Sequence, residues 1–126
     1  YTMIGFSGGN VLTYRIDNLT SSHLLVADYT YTADQWYHVA LSYDSGTGVT
    51  VAYLNGNSIG SITSTTGLTF DSVPFNIAKS DYNNQAFDGL VGSVRAYDKA
   101  LTAGEVAQNY GAEKGRFSNV SIAPQA

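Results

Sequence analysis

The chain has 126 residues, only 13% of them charged, with 13 glycines, ten tyrosines and no cysteine. That length makes one domain able to bury roughly two-thirds of the surface its unfolded form exposes, and the missing cysteines remove disulfides, thiolate metal sites and cysteine nucleophiles together. A net charge of −4 with no basic run excludes a phosphate-neutralising surface, so no nucleic-acid partner is expected, and no apolar run reaches the ~20 residues that span a bilayer.

Strand-like segments recur at short intervals near 2–6, 11–17, 23–29, 36–44, 48–54, 58–63, 74–79 and 87–98, separated by Gly, Asn and Ser clusters. This spacing predicts an all-β antiparallel sandwich. The opening "YTMIGF" already reads as strand interior, without an initiator methionine, and is expected to come from a fragment or a processed product. "QWYHVALSYD" places Tyr37, Val39, Leu41 and Tyr43 on one face and Trp36, His38, Ala40 and Ser42 on the other. Both faces are largely apolar, which predicts a central strand whose side chains are mostly core. "YDSGTGVTV" reverses the chain at 45–48. In "VAYLNGNSIG", Asn55-Gly56 supplies the positive φ values of a two-residue hairpin turn. Thr102 as N-cap and Glu105 three residues on form a capping box, with Leu101 and Val106 as its hydrophobic staple. Val106 and Tyr110 share one face of the short helix, which Gly111 or Gly115 ends. The domain is predicted over 1–115, and "FSNVSIAPQA" makes 116–126 a last strand or an arm.

Two blocks, "QWYHVALSYDSGTGVTVAYLNG" and "FDGLVGSVRAYDKALTAGEVAQNY", resemble the laminin-G-like domains of the concanavalin A-like lectin/glucanase superfamily. The matching positions are Trp36, His38, Val39, Ala40, Tyr53, Asn55 and Gly56, then Phe87, Gly89, Val91, Val94, Arg95, Tyr97, Leu101, Glu105, Asn109 and Tyr110. The resemblance runs from about Trp36 to Tyr110 and implies a jelly-roll sandwich with one short C-terminal helix. Gly92 stands where many relatives carry an acidic residue, which counts against a polar or metal site there. The family fold usually begins with strands upstream, so residues 1–30 and the C-terminal arm, or another segment or chain, are expected to complete the sandwich. "NYGAEKGRF" is similar to the way such domains end in some bacteriophage structural proteins, which implies a virion surface.

Enzymes share this superfamily, but glycoside hydrolysis typically needs two carboxylates flanking the bond. The two glutamates are Glu105, a capping residue, and Glu113, near the helix end; most aspartates sit at turns. No catalytic residue and no enzymatic activity are expected. His38 belongs to the motif as a hydrogen-bonded structural histidine, and His23 lies at a strand edge. The resemblance implies calcium at the sandwich rim, with Asp71, Asp81 and Asp88 as ligands beside Asn83 and Asn84; an ordinary turn role for the same residues stands next to it. For a glycan, "KSDYNNQAF" offers the ring of Tyr82 and hydrogen-bonding groups from Asp81, Asn83, Asn84 and Gln85. Polar loops have this composition without binding anything. The expected function is a non-catalytic glycan-recognition or adhesion module at a virion surface or elsewhere outside the cell. Its expected partners are surface glycans, other virion proteins or copies of itself. A structural assembly domain is the alternative. A secreted receptor module is a third reading, and it predicts sugars at the sequons Asn18 and Asn119.

Overall fold

The structure, a computed structural model, describes residues 3–7, 9–17, 23–64, 76–78 and 86–117. Six strands and one helix are formed there: β1 (Met3–Ser7), β2 (Val11–Asp17), β3 (His23–Thr30), β4 (Val39–Asp44), β5 (Val49–Leu54), β6 (Asn57–Thr63) and α1 (Ala103–Glu113). They make two three-stranded antiparallel sheets, ordered β1-β2-β3 and β4-β5-β6, in a sandwich with one short helix. No helix among the described residues is long and apolar enough to cross a membrane.

Alternation builds the core. In β2 the inward set is Leu12, Tyr14 and Ile16, each fully buried, while Arg15 between them is exposed. Val26 and Ala27 of β3 and Ala52 and Leu54 of β5 complete a cluster drawn from both sheets. Burying one such Leu or Ile stabilises the fold by about 1.5–3 kcal/mol. The Tyr14 hydroxyl donates a 2.6 Å hydrogen bond to the Tyr53 carbonyl, tying β2 to β5 across the layers. The sheets approach closely where Gly60 faces β3; a Cβ there would lie 2.7 Å from the Val26 carbonyl oxygen.

Both predicted reversals of the second sheet form. Asn55 and Gly56 adopt φ of 49° and 81°, as the type I′ turn requires. Gly48 has φ of 73°, and any Cβ on it would strike the Ser64 carbonyl. The capping box forms as the sequence predicts: the Thr102 side chain accepts from the Glu105 amide, and Glu105 accepts from the Thr102 amide. The helix runs through Gly111 and ends at Glu113, with Lys114 as C-cap in the right-handed helical region.

Three expectations are corrected. The segment 36–44 becomes strand only from Val39, and β5 rather than β4 is the middle strand of its sheet. Residues 87–98, predicted as strand, form none; the nearest pairing is an isolated bridge at Ala86, with the Phe87 amide on the Ala78 carbonyl. Alternation alone does not make a strand, which needs a neighbour to satisfy its backbone. Of the strand expected at 74–79, residues 76–78 are not strand and the rest lies outside the described residues, as does 118–126 of the terminal arm.

Candidate functional site

Asp81, Tyr82, Asn83, Asn84 and Gln85, the residues expected to meet a glycan, lie outside the described residues, as does Asp71. Asp88 is described and exposed. Among the described residues no group of three or more His, Asp or Glu side chains is placed to hold a metal ion.

The family motif residues gather instead into a structural joint. The His38 amide donates to Asn55 Oδ1 at 2.9 Å, and the Asn55 amide returns a bond to the His38 carbonyl at 2.8 Å. The His38 ring packs on Tyr110, with centroids 5.7 Å apart, and Trp36 packs on Phe117 at 4.9 Å. Gly92 leaves room for that same Phe117 ring. Arg95 forms an ion pair with buried Glu113, whose other oxygen accepts from Ser93 Oγ at 2.6 Å. Tyr97 OH accepts from Asn109 at 3.1 Å. So Trp36, His38, Asn55, Arg95, Tyr97, Asn109 and Tyr110 hold the helix and the 91–97 segment against the second sheet.

The charges of this joint suit support rather than chemistry. The Ser93 hydrogen bond, and then the Arg95, Arg116 and His38 charges, hold the Glu113 carboxyl below its usual range against the opposing effect of desolvation. A carboxylate so held is a poor proton acceptor at neutral pH. Burial lowers the His38 pKa; Glu113 opposes this and Arg95 reinforces it. His38 is therefore a neutral packing residue. Its amide bonds Asn55, but the buried ring Nδ1 has no partner among the described residues, so the hydrogen-bonded side chain expected for it is not found.

A second feature was not singled out in the sequence. Five aromatic rings form a continuous strip: Phe87 stacks on Phe6 at 5.0 Å, Phe6 meets Tyr31 edge-on at 5.2 Å, Tyr31 meets Tyr37 at 6.5 Å, and Tyr37 meets Tyr29 at 6.1 Å. Strand register explains the assembly. Phe6 pairs with Leu12 and Leu12 with Tyr29, so Phe6 and Tyr29 share the inward face at the end of the core. A bond from the Tyr31 amide to the Asn10 carbonyl carries that edge beyond β3. Tyr37 is fixed from below, its hydroxyl accepting from the Thr32 amide at 2.9 Å and lying 3.4 Å from Gln35 Oε1. Phe6 is 47% exposed and Tyr29 39%, while Tyr31, Tyr37 and Phe87 are half-buried and the first two of these pack against the core. The strip is thus anchored in the core and presents chiefly Phe6 and Tyr29 to solvent. Phe87 joins it two residues after the loop 81–85. The sequence signal was inward alternation in strands β1 and β3 running past the core; only pairing reveals that the rings meet.

The chain belongs to the concanavalin A-like lectin/glucanases superfamily: the laminin-G family model carrying that description matches residues 1–107. Domains of this kind are typically non-catalytic and lectin-like, often binding carbohydrate or serving adhesion. Among solved structures, an S-layer domain-containing protein from Clostridium thermocellum (its residues 221–444) is similar at TM-score 0.53 and 17% identity. The match covers 87% of this chain and 61% of that one, and at this identity it is a likeness of fold. No curated protein matches the chain.

Proposed function

We propose that the chain is a non-catalytic glycan-recognition or adhesion module displayed on an extracellular surface. The observation that carries this reading is the half-exposed aromatic strip at the end of the sandwich, whose Phe87 follows the polar sequence 81–85 by two residues. Aromatic faces pack against the C–H side of pyranose rings, while neighbouring amides, hydroxyls and carboxylates bind sugar hydroxyls. Two observations support different surfaces. The resemblance of "NYGAEKGRF" to the ends of such domains in bacteriophage structural proteins motivates a virion, and the likeness of fold to an S-layer domain-containing protein motivates a cell envelope.

The test is a glycan array with the folded chain, run with calcium and again with a chelator. Specific binding weakened by Tyr82→Ala supports the reading and brings the loop into the site. Chelator sensitivity would support calcium held by Asp71, Asp81 and Asp88, and insensitivity would remove calcium from the proposal.

One observation favours an assembly role as the second reading. Leu90 is 78% exposed, and Val91, Val94 and Tyr97 nearly half exposed, along one segment of ten residues or fewer. An apolar run in that state suits contact with another chain. A blank array together with self-association in sedimentation would replace glycan recognition with assembly.

A further inference from the structure

We infer that the aromatic strip takes an uncharged oligosaccharide and turns away sulfated, phosphorylated or uronate-bearing glycans; this rests on the glycan-recognition reading above. The inference comes from the charges that neighbour the strip residues in sequence. Asp34 is exposed in the turn between Tyr31 and Tyr37, and Asp88 is exposed beside Phe87.

The cations among the described residues are engaged elsewhere. Arg95 pairs with Glu113 and Lys99 with Glu105, while Lys114 lies over the Tyr110 ring and Arg116 over Phe117. These four surround the helix, where the rings of Trp36 and His38 point. Tyr37, between those two residues, packs instead on Tyr29 and Tyr31. Arg15 is exposed between inward-facing Tyr14 and Ile16, so alternation sends it to the outer face of its sheet. Lys79 is the remaining cation and lies outside the described residues.

An anionic glycan on the strip would lay its charge beside two carboxylates, without a guanidinium or ammonium among the described residues to pair it. A neutral sugar meets no such penalty. Its C–H face covers a ring, and its hydroxyls donate to Asp34, Asp88 or Gln35. Phe6 and Tyr29 are the exposed rings of the series, with Tyr31, Tyr37 and Phe87 half-buried beside them, so a sugar would meet an open surface rather than a closed pocket.

The experiment titrates the whole chain with neutral gluco-, manno- and xylo-oligosaccharides, and in parallel with a heparin fragment and an oligouronate, at low and moderate salt. The expected result is binding to a neutral member that is insensitive to salt. It should weaken about tenfold in Phe6→Leu and in Tyr29→Leu, which keep apolar volume but remove the ring face. The Asp34→Lys, Asp88→Lys double variant should gain affinity for the heparin fragment. Preference of the unaltered chain for the heparin fragment, lost in salt or on Lys79→Gln, would overturn the inference and leave glycan recognition standing. Neutral binding that survives both leucine variants but disappears with Tyr82→Ala would move the site to the loop and overturn the strip. No binding to any probe, with circular dichroism showing a folded chain, would overturn both the inference and the reading beneath it.

Discussion

Tyr14 shows how one side chain can serve both layers. Its ring fills the core of the first sheet, and its hydroxyl reaches the Tyr53 carbonyl in the second. Burial pushes the phenol pKa above its ordinary value, so it remains a donor throughout the range in which the protein folds. Tyr14→Phe keeps the packing and deletes the bond. The expected cost is about 1–2 kcal/mol, read as a lower urea midpoint with an unchanged slope. An unchanged midpoint would show that the bond contributes nothing net. Gly48 serves the other kind of single-residue constraint, because its positive φ and the Ser64 carbonyl exclude a side chain independently.

At the scale of elements, the helix has the most complete local specification in the chain. Its start is fixed by the reciprocal bonds of Thr102 and Glu105, and Lys99 adds a 2.8 Å ion pair to the same carboxylate. The Lys99 hydrogen bond, followed by the Thr102 amide, holds Glu105 below the usual carboxylate range. Thr102→Ala should cost about 1 kcal/mol and lower the thermal midpoint by a few degrees, whereas Thr102→Ser should leave it nearly unchanged. Equal midpoints for the alanine and serine variants would argue against the cap. The same locality explains which elements were legible beforehand. The capping box, the Asn55-Gly56 turn and the strand at 11–17 each depend on residues a few positions apart. Strand pairing at 87–98 depends on a remote neighbour, which the pattern of "FDGLVGSVRAYD" does not specify. The aromatic strip was hidden for a similar reason. Residues 6, 29, 31, 37 and 87 meet only once two strand registers and an isolated bridge are set. The loop expected to carry the site, 81–85, and the rim aspartates Asp71 and Asp81 lie outside the described residues, so those expectations pass into the proposed function unchanged.

For the whole molecule, the joint of His38, Arg95 and Glu113 couples folding to pH. Burial lowers the folded His38 pKa below its ordinary 6.5, so its contribution is full above that pH and declines as pH falls towards the folded value. Glu113 is held below its ordinary 4.5, so its contribution is present above that value and is lost as pH falls through the lowered one. Both effects destabilise the protein in acid, His38 from about pH 6.5 downward and Glu113 from about pH 4.5. Urea midpoints measured across that range should fall in two stages. Replacing His38 by Gln should flatten the upper stage, and replacing Glu113 by Gln the lower. A midpoint independent of pH over both stages would remove the joint from the account of stability.

The turn at Gly56 has a consequence for how this sandwich can vary. A Cβ at that position would lie 2.9 Å from the Tyr110 ring, so the hairpin tip is also a seat for the helix. Hairpin tips are ordinarily where chains accept inserted sequence. This one is occupied, and lengthening it would unseat Tyr110 and with it the ring that packs on His38. Gly9, in the turn between β1 and β2, has open space around it. Room for elaboration therefore lies at that opposite hairpin, next to Phe6 and the aromatic strip, so loop growth there would reshape the contact surface while the helical joint stayed intact.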